Sequence, residues 1–175
     1  KPPLSAVRLV EMFDGQPDGV LNLLLGDERA GRPLVAHEDV DLVLFTGSVP
    51  TGRGILETAG RQLKKTVVEL GGKDPMIVDS GVDAAWAAGE AATGSFANTG
   101  QICTSVERIY VHEAIAGEFL RELTARAESI RVGDGTEPET EMGPLVDEGQ
   151  RDLVHRHVSE AVEEGAELLC GGEIP

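Results

Sequence analysis

Aromatic side chains are scarce in this chain. Four Phe, one Tyr and one Trp make up 3% of its 175 residues, so any core is built from aliphatic side chains. Basic residues are few as well: 15 Lys and Arg stand against 31 Asp and Glu, a net charge of −16. That balance excludes a partner held by a basic face, such as nucleic acid or an anionic membrane. Two cysteines, Cys103 and Cys170, form neither a disulfide framework nor a metal knuckle. His37, His112, His155 and His157 are scattered without metal-ligand spacing, so no metal is expected. No apolar run approaches the ~18 residues of a membrane span. Lys1-Pro2-Pro3-Leu4 lacks the apolar stretch of a secretory signal, and a cytoplasmic location is expected.

The sequence is rich in glycine, with 22, and ordinary in its apolar fraction of 41%. Short β-branched runs alternate with longer stretches of helical period. Helices are expected over residues 4–13, 28–37, 48–63, 82–97, 114–130 and 147–164. Strands are expected over residues 20–25, 41–46 (DLVLFT), 66–70 (TVVEL), 74–79 (DPMIVD), 106–112 (VERIYVH) and 167–170. This alternation predicts an α/β fold, a parallel Rossmann-like sheet with helices on both faces. The best boundary between domains falls at Gly71-Gly72.

Three segments carry chemistry. In FTGSVPTG, residues 45–52, a strand gives way to a glycine turn and a helix start. Free N–H groups at a helix start suit a phosphate, Gly47 permits close approach of backbone, and Ser48 adds a hydroxyl. In VELGGK, residues 68–73, Glu69 ends a strand just before two glycines. Ligands of open α/β sheets bind beyond the carboxyl ends of strands, and a partly buried Glu69 there would serve as a general base. In FANTGQICT, residues 96–104, Cys103 follows a glycine break after an Ala-rich helix. A thiol on such a turn suits a nucleophile. Each segment alone has an ordinary reading too: a plain strand-to-helix turn, a surface Glu, a small buried thiol.

Taken together and in this order, FTGSxxTG, VELGGK and FxNTGQxC resemble the NAD(P)-dependent aldehyde dehydrogenase superfamily. The Glu69-to-Cys103 separation is similar to the family's, and the stretches between match in style, including EMGPLV near residue 144. Ser105 departs from the small residues usual at its position. The resemblance spans essentially the whole chain.

The resemblance implies that Cys103 attacks the aldehyde carbon and that Glu69 activates the water that later hydrolyses a thioester. It implies NAD or NADP as cofactor, with Gly47, Ser48, Thr51 and Gly52 on the cofactor turn and Leu70 and Gly71 against the nicotinamide. Family members that pass the acyl group to coenzyme A typically lack the glutamate, so Glu69 favours release of a free acid. Lys1-Pro2 is similar to a Lys-Pro that leads to the adenosine ribose. Cys170 is expected to be a buried thiol without a catalytic role, and Arg108 a structural residue. Arg61, Lys64 and Lys65 are expected to complement a helix end.

The resemblance also implies two partial α/β domains: residues 1–71 as the end of the cofactor-binding domain and residues 72–175 as the start of the catalytic one. The family's flanks would supply an oxyanion-hole asparagine, a ribose-holding glutamate and an oligomerisation strand. The expected substrate is a small aldehyde, and the expected full-length assembly a homodimer or homotetramer. The alternative is a truncated, non-catalytic chain that keeps the fold's centre with at most weak dinucleotide binding.

Overall fold

The structure, a computed structural model, describes residues 3–174. The Lys1-Pro2 reading lies outside the described residues. The chain divides into two compact units, one ending at Gly71 and one starting at Gly72.

The first unit contains α1 (Pro3–Glu11), α2 (Glu28–Ala36), β1 (Leu42–Gly47), α3 (Val49–Arg61) and β2 (Lys65–Leu70). Strands β1 and β2 are parallel, as a strand–helix–strand crossover requires. Their register runs from Leu42 opposite Lys65 to Thr46 opposite Glu69 and Gly47 opposite Leu70. Ser48 caps α3, its Oγ accepting the Thr51 N–H at 3.4 Å, and Pro50 sits in the first turn, where a missing N–H costs nothing.

Helix α2 is intrinsically poor, with Gly31 and Pro33 inside it. Long side chains from beyond α3 hold its far end. Gln62 Nε2 donates to Ala36 O at 3.0 Å, and Lys64 Nζ donates to Val35 O at 2.8 Å and also to His37 O. Lys64 therefore complements the end of α2, satisfying carbonyls that a helix end leaves without partners. Replacing Lys64 with Met should lower the local opening energy of α2 by about 1–2 kcal/mol. Amide exchange across α2 would register this, and unchanged protection would contradict it.

The second unit contains β3 (Asp74–Val78), α4 (Ala84–Phe96), a 3-10 turn (Ala97–Gly100), β4 (Val106–Val111), α5 (Glu113–Ser129) and α6 (Glu148–Glu163). Strands β3 and β4 are parallel, with a register shift between Asp74 and Pro75, the residue that lacks an N–H to donate. Helix α4 presents Ala84, Ala87, Ala88, Ala91 and Ala92 inward. These small residues let α5 approach closely, and Phe119, 1% exposed, fills the space beside Val78. Asp83, His112 and Asp147 cap α4, α5 and α6.

Parallel α/β order is as expected, but the sheet comes as two separate pairs, β1-β2 and β3-β4, one in each unit. Two expected strands do not form. Residues 20–25 and 167–170 are irregular, and Val20, Leu24 and Leu168 are exposed. An apolar run becomes a strand only where a neighbour completes its ladder, and among the described residues neither segment has one. Apolar faces also remain open on the strands that do form: Leu44 is 70% exposed and Ile77 81%. No helix among the described residues is long and apolar enough to cross a membrane.

Candidate active site

The pairing of β1 with β2 brings two of the sequence motifs side by side. FTGS and VELGG end together, with Thr46 beside Glu69 and Gly47 beside Leu70. Ser48 and Thr51 share a hydroxyl contact of 2.9 Å on the helix start that follows. Gly52 is buried under Leu70: a Cβ there would stand 2.6 Å from Leu70 Cδ2. Only glycine lets the helix and the strand end approach this closely. Gly71 is exposed just past the strand.

Of the two readings of Glu69, a partly buried base and a surface Glu, the structure shows an exposed side chain. Strand period 2 explains this, because Thr66, Val68 and Leu70 turn inward and their neighbours must turn out.

A cleft of about 970 Å³ runs along β1 between α2 and α3. Val35, Val40, Leu44, Pro50 and Ile55 make its walls apolar, and Thr51 and Thr58 add hydroxyls. Its size and lining suit an adenine ring, with the capped start of α3 at one margin for phosphate. The residues present thus fit a dinucleotide. The helix expected over residues 28–37 forms as α2 despite Gly31 and Pro33, but its place as a wall of this cleft had no signal in the sequence. A smaller cavity of about 280 Å³, lined by Asp41 and Lys64 among others, lies at the opposite, amino-terminal end of the strands. Ligands of this fold class do not bind there.

Asp27, at the cleft margin, caps α2 through the Arg29 N–H at 2.9 Å. The Arg29 side chain, bonded at 3.0 Å, holds its carboxyl below the ordinary carboxylate value. A lowered folded-state value means a contribution that is complete above the ordinary carboxylate pKa and is lost as pH falls through the lowered one. The α2 cap should therefore hold at neutral pH and loosen only in acid. Exchange rates of the α2 amides that rise already between pH 6 and 7 would contradict this.

In the second unit, Cys103 is exposed on the loop between the 3-10 turn and β4. The turn is held on both sides. Before it, Asn98, Thr99 and Gly100 have φ of 51°, 61° and 69°, and Thr99 Oγ1 donates to Gly143 O at 3.0 Å. Gln101 Oε1 accepts the Val146 N–H at 2.9 Å. After it, Ser105 N–H donates to Ile102 O at 3.1 Å. The Ser105 hydroxyl lies 3.2 Å from Gly94 O and 3.3 Å from Ser95 O. These are carbonyls of the last turn of α4, which have no partner within the helix.

Ser105 is the one buried polar residue among those described, and at 4% exposure it acts as a side-chain cap. Its position was noted in the sequence only as a departure in size. Ser105→Ala should lower protection of the last turn of α4 by about 1–2 kcal/mol, read by amide exchange. Unchanged protection would contradict the capping role.

Arg108 donates from Nε to Lys73 O at 2.8 Å and lies over the Tyr110 ring, a structural placement. Cys170 is only partly buried and lies on no strand. No cluster of His, Cys, Asp or Glu among the described residues could hold a metal.

The first unit thus holds a capped glycine turn beside an apolar cleft, and the second a cysteine on a braced turn. The chain belongs to the aldehyde dehydrogenase family, whose profile matches residues 1–175. It is 44% identical over 175 residues to the betaine aldehyde dehydrogenases of Brucella abortus and Brucella melitensis, covering 99% of this chain. It spans 36% of the length of these curated relatives. Among solved structures, an aldehyde dehydrogenase mutant from Bacillus cereus superposes with a TM-score of 0.96 at 36% identity, covering 99% of this chain and 36% of that one. A betaine aldehyde dehydrogenase point mutant from Staphylococcus aureus, in complex with NAD+ and with a BME-modified cysteine, gives 0.94 at 35%, again covering 99% and 36%.

Proposed function

We propose that this chain is the central part of an NAD(P)-dependent aldehyde dehydrogenase that converts an aldehyde to its carboxylic acid through a thioester on Cys103. Residues 1–71 would be the end of the cofactor-binding domain and residues 72–175 the start of the catalytic one. The observation that carries this reading is an exposed cysteine on a turn braced at both ends, in a chain of this family.

The Cys103 thiolate adds to the aldehyde carbon and gives a thiohemiacetal oxyanion, which donors nearby stabilise. The cleft and the Gly47–Ser48–Thr51 turn would hold NAD(P)+, which when bound would supply the acceptor for the hydride. Loss of that hydride leaves a thioester on Cys103. Glu69 takes a proton from water as it attacks the thioester carbon, and the acid departs with the thiol restored. Gly52 keeps Leu70 and Gly71 at the strand end, where they would meet the nicotinamide of a bound cofactor. An exposed Glu69 is consistent with this role, since the group must meet water.

Likeness to betaine aldehyde dehydrogenases makes betaine aldehyde the first substrate to assay. The full-length protein is proposed to act in the cytoplasm as a homodimer or homotetramer. The isolated 175 residues are expected to be inactive, and the open apolar faces at Leu44 and Ile77 favour that expectation.

Iodoacetamide treatment of the full-length protein tests the assignment. Inactivation should track carbamidomethylation of Cys103, with NAD+ and aldehyde altering its rate. Inactivation that tracks Cys170 instead would overturn it. Reduction of NAD+ by the isolated chain with an aldehyde, followed by absorbance, would overturn the expectation that it is inactive.

A further inference from the structure

The turn before Cys103 has an energetically unfavourable backbone. Asn98, Thr99 and Gly100 lie consecutively in the left-handed region. Glycine enters that region freely and Asn tolerates it, but a β-branched residue does not. Such conformations persist only where the surroundings over-determine them. Thr99 at φ 61° is therefore a poor choice for a turn whose only task is to reverse the chain. Its hydroxyl supplies the missing reason, since Oγ1 donates to Gly143 O at 3.0 Å, 44 positions along the chain.

Gln101 completes the tie. Its backbone N–H and its Nε2 both donate to Asn98 O, at 3.1 and 3.2 Å, and Asn98 Nδ2 donates back to Gln101 O at 3.1 Å. Its Oε1 accepts the Val146 N–H at 2.9 Å, 45 positions away. Thr99 and Gln101 thus latch one turn to one loop, residues 143–146. That loop is itself fixed, by the Val132–Met142 bridge before it and the Asp147 cap of α6 after it.

We propose that Thr99 and Gln101 are positioning residues: by latching the turn at residues 98–100 to the loop at 143–146, they set the direction of the Cys103 thiol and its adjacent backbone. They would act through Cys103 and not by contact with aldehyde or cofactor. The inference rests on the reading of Cys103 as nucleophile. The remote loop thereby governs the chemical step, because a misplacement of about 1 Å at reacting atoms costs on the order of 10²-fold in rate.

The test separates positioning from simple support of the fold. Thr99→Gly relieves the backbone strain and deletes the hydroxyl, so in the full-length enzyme Tm should hold or rise while kcat for the aldehyde falls about ten-fold or more. The KM for NAD(P)+ should not change. Thr99→Val should also lower kcat, and Thr99→Ser, which keeps the hydroxyl, should restore most of it. Gln101→Met should resemble Thr99→Gly, and the double variant should fall short of the product of the two losses, as expected of one shared latch. Wild-type kcat in Thr99→Gly, a loss that serine does not rescue, or a loss that follows a drop in Tm would overturn the latch. A Cys103→Ala protein that still turns over would overturn the nucleophile and the latch together. An inactive Cys103→Ala beside a fully active Thr99→Gly would overturn the latch alone.

Discussion

Replacing Cys103 with alanine in the full-length protein should reduce aldehyde-dependent formation of reduced cofactor by roughly 10⁴-fold or more, the scale of loss when a covalent nucleophile is removed. The fold should not change. Cys103 is exposed, and its thiol takes no part in the bonds that brace the turn, which run through Thr99, Gln101 and Ser105. Affinity for NAD+ should also persist, since the proposed dinucleotide cleft belongs to the other unit and is lined by residues between Asp27 and Thr58. A stable, cofactor-binding, inactive protein is the specific outcome. Loss of NAD+ binding together with activity would mean that Cys103 matters for structure instead. Cys170→Ala serves as the control and should retain full turnover.

Glu69→Gln should separate the two halves of the reaction. The side chain is exposed at the end of β2, and the strand's ladder to β1 uses main-chain groups only, so an isosteric amide leaves the pairing intact. Acylation needs no general base at this position, and a burst of about one reduced cofactor per subunit should appear. Steady turnover should then slow by about 10²–10⁴-fold, the usual contribution of a positioned general base. A strong external nucleophile, such as a small thiol, should partly restore turnover by taking the acyl group directly. A Glu69→Gln enzyme without a burst would assign Glu69 to the first half-reaction. One with normal turnover would remove it from the mechanism.

Much of this architecture was legible because the local signals agreed with one another. DLVLFT and TVVEL are continuous apolar runs stopped by glycine, and they form β1 and β2 within one residue of the expected bounds. Ser48 stands before the helical period of α3 and caps it as its chemistry dictates. The apolar runs at residues 20–25 and 167–170 carry the same signal and form no strand, because a ladder partner is not a property of the run itself. The parallel arrangement of β1 and β2 was expected, whereas the register that sets Thr46 beside Glu69, and the choice of a surface over a partly buried Glu69, came only from the observed pairing and phase of β2.

The bonds that shape the candidate site were the least legible. Thr99 meets Gly143, Gln101 meets Val146 and Lys64 meets Val35, each across tens of residues with no local pattern to mark the pair. Ser105 was visible only as a residue slightly too large. Its burial beneath the end of α4 turns that apparent oddity into a helix cap.

The most direct test of the account is to trap the acyl group. The full-length Glu69→Gln protein, mixed with NAD+ and betaine aldehyde or another small aldehyde, is quenched in acid and digested for peptide mass mapping. The account predicts one acyl adduct per chain, on the peptide bearing Cys103 and removable by hydroxylamine. Reduced cofactor formed with no adduct, or with the adduct on the peptide bearing Cys170, would contradict it.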